Sequence, residues 1–150
     1  MAHPSLLTGR IPMGQHVNVT NIRVRYGETD RMDTVYNSCV LDWFEVGRTE
    51  FMREMGTTYA EMEERGVCFP VVEATVKFLG RATYDDLLKM ETRMSRPSRL
   101  RVRFEVHITH EDGSGDVASG HTVHALTNAE GKPIRPPKWF EDIFHAESKD

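Results

Sequence analysis

The pattern of apolar residues changes its period after residue 55, and this change limits the possible folds more than any other feature. Between residues 37 and 55, apolar side chains recur at steps of one, three and four residues, which is typical of one buried helix face. From residue 72 onward they alternate with polar residues, which is typical of strands that bury one face. The sequence therefore predicts one long helix from about Asn37 to Met55, followed by strands at 72–78, 88–94, 102–108 and 117–127.

Shorter elements complete the predicted fold. Residues 17–26 alternate like a strand, and short helices are predicted at 58–65 and 138–145. Short turns between the later strands favour antiparallel neighbours. We therefore expect an α+β fold in which a long amphipathic helix faces a five-stranded antiparallel sheet. Residues 1–16 are expected to form a flexible N-terminal arm, and residues 17–150 a single domain.

Charge and cysteine content argue against several classes of protein. A formal net charge of −4 over 150 residues gives no overall basic field for nucleic acid or an anionic membrane. Cys39 and Cys68 are too few and too far apart for a disulfide framework or a zinc site, and they fit a reducing cytoplasm. No run approaches the roughly 20 apolar residues of a membrane-spanning helix. We expect a cytoplasmic protein that neither binds nucleic acid nor spans a membrane.

Two segments near the predicted long helix carry a resemblance to a known family. They are residues 23–36 (RVRYGETDRMDTVY) and residues 43–50 (WFEVGRTE). Weaker matches follow at residues 70–72, 82–88, 123–124 and 128–133. Together these segments resemble hotdog-fold acyl-CoA thioesterases of the 4-hydroxybenzoyl-CoA thioesterase and YbgC type, over most of the chain.

The resemblance implies a fold, an assembly and a site. In that family the sheet wraps around one central helix, and two such sheets pair in a dimer, so a homodimer or homotetramer is expected. The catalytic aspartate ends the Thr-Asp element before the helix, which is Asp30 here. The residue that opens the helix supplies the backbone N–H that polarises the thioester carbonyl, which corresponds to Asn37.

The chemistry of the two residues is consistent with that assignment. Thioester hydrolysis needs a base or nucleophile at the carbonyl carbon and a donor for the developing oxyanion. A carboxylate can attack directly or activate water, and a free helix N-terminus offers unpaired N–H groups. Without the resemblance, Asp30 is more often a turn former or surface carboxylate, and Asn37 a plain helix cap.

The chain departs from the family pattern at several positions. The family usually has Gly where Asp33 stands, His where Asn37 stands, and Pro where Arg81 stands; a small polar pair occupies the positions of Cys39 and Val40. Asp33 places a second carboxylate near the site, which could raise the pKa of Asp30 or repel an anionic substrate. These departures put the acyl specificity in doubt more than the reaction type.

A cluster of basic residues is the candidate for binding coenzyme A. Arg96 and Arg99, in a turn predicted at 95–99, are assigned to the coenzyme A phosphates because guanidinium groups bind phosphate bidentately. For the cluster as a whole, a solvated strand face is the ordinary and favoured explanation, and phosphate binding is the alternative. Tyr36, at the end of the first signature segment, is assigned to substrate binding. The cluster has few acidic neighbours in sequence and contains Lys89, Arg93, Arg96, Arg99, Arg101 and Arg103.

Other chemically capable residues are expected to be structural. Cys39 lies near the helix start, where a thiolate is stabilised, but packing against the sheet is favoured over a nucleophilic role. Metal binding is not expected, because paired histidines on predicted strands point to opposite faces. Structural hydrogen bonds or ion pairs are favoured for the helical polar residues Glu45, Arg48 and Glu50.

Two functions remain open at this point. The favoured one is an enzyme that hydrolyses a small or medium acyl-CoA without metal or redox cofactor, coenzyme A being part of the substrate. The alternative is a non-hydrolytic module that binds an acyl thioester or another small ligand. A hotdog dehydratase is less favoured, because no histidine lies on the helix to share acid–base work.

Overall fold

The computed structural model describes residues 16–148, with side chains described through Phe144. Three α-helices lie in this part of the chain: α1 (Cys39–Glu54), α2 (Tyr59–Glu64) and α3 (Lys138–Ser148). The long helix was predicted correctly, but it begins two residues later than Asn37. Gly56, at φ +98°, follows its end, as expected for a glycine in the left-handed conformation after a helix.

Five antiparallel strands form one sheet in the order β1-β3-β4-β5-β2. Their bounds are β1 Asn18–Arg23, β2 Val71–Phe78, β3 Leu87–Ser98, β4 Arg101–His110 and β5 Asp116–Ala125. The first strand is shorter than predicted, because the chain turns into a 3₁₀ segment at Tyr26–Glu28. The strand predicted at 88–94 was too short, because pairing with β4 continues past a register shift to Ser98.

Helix α1 lies against one face of the sheet, where it contacts β1, β3, β4 and β5. The inner positions of β3 and β4 are buried in alternation, as the sequence predicted. Gly47 lets the helix approach closely, since a Cβ there would lie 2.5 Å from Thr92 Oγ1. This face supplies most of the core, whose largest buried side chains include Phe44, Phe51, Phe104, Met52, Met90 and Met94.

The N-terminal arm predicted at 1–16 lies outside the described residues except for His16. The His16 ring packs edge-on against Phe51 at 5.2 Å between centroids, and its Nε2 lies 2.6 Å from Glu54 Oε1. The last residue of the predicted arm is therefore held on α1. Within residues 16–148, no helix is long and apolar enough to cross a membrane.

His124 on β5 is a fully buried histidine inside an aromatic cluster. One ring nitrogen lies 3.0 Å from the Phe69 carbonyl oxygen and the other 2.9 Å from Thr122 Oγ1. Burial lowers the pKa of His124 to about 4; the Phe69 hydrogen bond opposes this shift, and the positive charge of Arg48 reinforces it. The ring is therefore neutral in the folded protein near pH 7.

We expect this histidine to make the fold sensitive to acid. The unfolded chain takes up a proton at His124 near pH 6.5, whereas the folded chain does so only near pH 4. The contribution of His124 to the free energy of unfolding is therefore complete above pH 6.5. It falls by about 3 kcal/mol as the pH drops to 4. Urea unfolding between pH 7.5 and 4.5 measures this slope, and His124→Gln should flatten it. Equal acid sensitivity of both proteins would contradict the assignment.

Candidate active site

Asp30 lies at the tip of a small hairpin formed by the segment before α1. Tyr36 donates its N–H to the Glu28 carbonyl (2.8 Å), Thr29 and Val35 form an antiparallel bridge, and the Asp30 N–H donates to Thr34 O (2.9 Å). The first signature segment thus folds back on itself and leads directly into α1. Asp30 and the start of α1 belong to one continuous, hydrogen-bonded unit.

The two oxygens of the Asp30 carboxylate have different surroundings. Oδ1 accepts the Met32 N–H at 2.8 Å and the Thr34 N–H at 3.4 Å, which is the turn-forming pattern of an aspartate side chain. Oδ2 accepts no hydrogen bond from any described residue. The carboxylate is half-buried. It is therefore held through one oxygen only.

The start of α1 presents unpaired backbone donors. Asn37 and Ser38 form the turn before Cys39, the first helical residue, and both are exposed. Among residues 16–148, neither of their N–H groups donates to a backbone or side-chain acceptor, and the Ser38 side chain makes no capping hydrogen bond. These N–H groups lie at the positive end of the helix dipole, where an oxyanion is stabilised.

Asp33 and Arg81, two of the departures from the family pattern, both bear on the hairpin. Asp33 has φ +63°, in the left-handed region that glycine adopts most readily and that Asp tolerates, so the backbone explains the glycine of relatives. The Asp33 side chain is exposed. Arg81 donates from Nη2 to Met32 O at 3.0 Å, and Thr34 Oγ1 donates to Ala82 O at 3.1 Å. The segment before β3 therefore supports the hairpin tip.

The residues assigned to substrate binding do not all lie together. Tyr36 is 57% exposed and adjoins Asn37 at the helix start. Arg96 and Arg99 lie at the far end of β3, about 30 Å of strand beyond Leu87, whereas the hairpin lies at the near end. In one copy of the chain, Asp30, Tyr36 and Asn37 therefore lie in or next to one hairpin, at the opposite end of the sheet from the two arginines.

Arg96 already has partners. Its Nη1 lies 2.6 Å from Glu141 Oε1 on α3, its Nη2 donates to Arg99 O at 2.7 Å, and only 11% of its side chain is exposed. The predicted turn at 95–99 was misplaced, since β3 continues to Ser98. Arg99 is exposed. Of the two arginines, Arg99 is thus the one with a surface open to a ligand.

Arg103, another member of the basic cluster, also has an acidic partner. Arg103 Nη2 lies 2.9 Å from Glu105 Oε2 on the same strand, and 3.2 Å from His121 Nδ1 on β5. His121 Nε2 in turn lies 3.1 Å from Glu73 Oε2. Glu105 lies two residues along the same strand, and His121 and Glu73 lie on other strands. The order of residues in the sequence therefore did not indicate these contacts.

The alternative reactive residues are arranged as structural groups. The Cys39 side chain packs against the core; burial, with the nearby carboxylates of Glu28 and Asp42, raises the pKa of its thiol, which disfavours a thiolate nucleophile. Glu50 lies 3.2 Å from Arg53 on the same helix. Within the described part of the chain, no three His, Cys, Asp or Glu side chains are grouped as a metal site would require.

Glu28 and Trp43 contact each other beside the hairpin, although sequence reasoning gave them no role. Glu28 is 7% exposed, and its Oε2 accepts the indole N–H of Trp43 at 3.0 Å. Its Oε1 accepts the Arg25 N–H at 2.8 Å. A signal was present, because both residues lie inside the signature segments, but their contact depends on the fold.

The comparisons with known proteins agree with this architecture. Residues 24–144 match the model of the Thioesterase-like superfamily. YneP of Bacillus subtilis is 31% identical over 89% of this chain and 97% of its own, and the acyl-CoA thioesterase YbgC of Haemophilus influenzae is 30% identical over 83% and 91%. A solved Staphylococcus aureus structure, described as a DHNA-CoA thioesterase, has a TM-score of 0.80 and 33% identity over 89% of both chains. The chain therefore belongs to the thioesterase-like superfamily, as a YbgC-like thioester hydrolase with the hotdog fold.

Proposed function

We propose that the protein hydrolyses a small or medium acyl-CoA to a free acid and coenzyme A, using Asp30 and the backbone N–H of Asn37. One observation carries the proposal. The hairpin joins a carboxylate with a free oxygen to a helix start whose N–H groups have no partner among the described residues. Relatives described as acyl-CoA thioesterases support the choice of substrate class.

The geometry supports hydrolysis in two variants that share the same residues. As a general base, Asp30 removes a proton from water, and the resulting hydroxide attacks the thioester carbonyl carbon. As a nucleophile, Asp30 attacks that carbon itself, and water hydrolyses the resulting anhydride. In both variants, the carbonyl oxygen becomes an oxyanion that accepts a hydrogen bond from the Asn37 N–H. The carbon–sulfur bond then breaks and releases the coenzyme A thiolate.

A homodimer is part of the proposal. Strand β2 is an edge strand, with one side paired to β5 and its apolar side chains Val71, Val72 and Phe78 about half exposed. Such an edge invites pairing with another strand. Antiparallel pairing of two β2 strands about a twofold axis would extend the sheet and be self-complementary.

The same dimer would bring Arg99 of one copy to the end of the sheet where Asp30 of the other copy lies. Phe78 lies at the hairpin end of β2, and Val71 lies at the end of the sheet that carries Arg99. Antiparallel pairing places the Phe78 end of one copy beside the Val71 end of the other. Arg99 of the second copy then lies at the same end as Asp30, where a coenzyme A phosphate could meet it.

We expect charges on the β2 edge to weaken the dimer. Val72→Lys together with Phe78→Lys introduces like charges that a second copy would meet, so the variant should become monomeric at micromolar concentration. Light scattering after size exclusion measures the mass. Val19→Lys, on the opposite edge strand and equally exposed, is the matched control and should leave the wild-type mass unchanged. A double variant with the wild-type mass would contradict pairing through β2.

A panel of acyl-CoAs with increasing chain length tests the function. Release of free thiol and binding of the intact thioester should be followed on the same samples. We expect release with at least one acyl chain. Binding without release for every acyl group would favour the alternative, a non-hydrolytic acyl-thioester module.

A further inference from the structure

We propose that Glu28 is a positioning residue for Asp30, and that the indole N–H of Trp43 fixes Glu28 in this role. The proposal rests on the proposed function of Asp30. It concerns how the reactive carboxylate is held at the helix start rather than which group reacts.

The hairpin has two arms, and only one is tied to α1 by the chain itself. The arm ending at Tyr36 continues through Asn37 and Ser38 into the helix. The arm that carries Glu28 and Asp30 has no covalent link to α1 on its own side. Its backbone is joined to the other arm by the hydrogen bond from Tyr36 N–H to Glu28 O.

The Glu28 side chain connects this arm of the hairpin to α1. Its carboxylate points into the protein and accepts the Trp43 indole N–H at 3.0 Å. Trp43 is 2% exposed and lies one turn into α1, in the same core cluster as Val24, which precedes the hairpin, and Val35, which lies in its second arm. Through this contact the Asp30 arm is fastened to the first turn of the helix.

The remaining contacts of Glu28 restrict it further. Oε1 accepts the Arg25 N–H at 2.8 Å, and the Arg25 guanidinium lies 3.3 Å from Oε2. The Arg25 side chain is 77% exposed, so its ion pair is weak, and Trp43 is the buried donor. A carboxylate oxygen at this depth needs such a donor, which explains why a tryptophan rather than a phenylalanine suits position 43.

Asp30 is two residues from Glu28, so a shift of Glu28 is transmitted to the reactive carboxylate. A misplacement of about 1 Å lowers a catalytic rate by up to roughly a hundredfold. If Glu28 acts by positioning, loss of the Trp43 bond should lower kcat and leave substrate affinity nearly intact.

Trp43→Phe is the main test, because it removes the N–H donor and keeps an aromatic ring in the core. We expect kcat to fall about tenfold while KM changes by less than about twofold. Trp139→Phe is the matched control: Trp139 lies on α3, stacked under Arg65, away from the hairpin, and its variant should keep the wild-type kcat. The circular dichroism of both variants should match the wild type.

Glu28 variants provide the conservative comparison. Glu28→Gln keeps one carbonyl oxygen for the Trp43 N–H and should retain more activity than Glu28→Ala. The double variant Glu28→Ala with Trp43→Phe should lose little beyond the larger single loss, because both changes remove the same contact. In the Trp139→Phe background, Glu28→Gln should also shift the fluorescence emission of Trp43.

The proposal would be overturned by a folded Trp43→Phe variant whose kcat equals that of Trp139→Phe, or whose loss lies entirely in KM. This failure is distinct from failure of the proposed function. If Asp30→Asn abolishes turnover while Trp43→Phe has no effect, Asp30 is catalytic and Glu28 does not position it. If Asp30→Asn turns over at the full rate, the proposed function itself is wrong.

Discussion

Asp30→Asn is expected to lower kcat about a thousandfold, within the range that loss of a general base produces. The asparagine oxygen can still accept the Met32 N–H, so the turn at the hairpin tip should survive. The free Oδ2 is replaced by an amide nitrogen, which neither attacks a carbonyl nor takes a proton from water. The loss should therefore appear in kcat, measured by thiol release at saturating acyl-CoA.

Asp33→Asn is the matched control for that variant. It removes one negative charge from the same hairpin, three residues away, at an exposed position. Asparagine also tolerates the left-handed φ of +63° at this site. We expect kcat to stay within about threefold of the wild type, because solvent and salt screen the exposed charge. A large gain in rate would instead show that Asp33 suppresses Asp30.

Gly120→Ala is expected to lower the free energy of unfolding by about 3 kcal/mol. Gly120 lies on β5 between β4 and β2, and a Cβ there would come within 2.0 Å of the Thr75 carbonyl oxygen and 3.1 Å of Phe44 Cε2. The carbonyl belongs to the β2 backbone and cannot rotate away as a side chain would. The strands must separate, which weakens the sheet and displaces α1.

Urea unfolding measures this loss, and Gly115→Ala is the control. Gly115 lies in the turn before β5, where a Cβ would meet no atom within 4 Å. Its variant should match the wild type to within about 0.5 kcal/mol. Equal stability of the two alanine variants would contradict the close packing of β5 against β2 and α1.

Much of the fold could be predicted because its periodic signals are strong. Phe44 and Phe51 mark one face of α1, and Met90 and Phe104 mark the inner face of the sheet. The ends of elements were less well predicted. Asn37 was placed at the helix start because it precedes the apolar pattern, yet the turn through Ser38 carries no apolar signal. Strand β3 continues through polar residues because β4 pairs with them, which periodicity alone does not show.

The sequence could propose candidate site residues only where they are close along the chain. Asp30 and Asn37 are seven residues apart, so the resemblance proposes them together. The contact of Glu28 with Trp43 joins residues 15 apart, and that of Arg96 with Glu141 joins residues 45 apart. Such contacts depend on how the hairpin and α3 pack, which no local pattern encodes.

The central claim is that thioester hydrolysis depends on Asp30 while binding does not. Calorimetric titration of acyl-CoA into Asp30→Asn measures both, because binding gives a saturating heat and turnover gives a sustained one. We predict a saturating isotherm, with an affinity close to the KM of the wild type and no sustained heat. Sustained heat at the wild-type rate would contradict the assignment of Asp30.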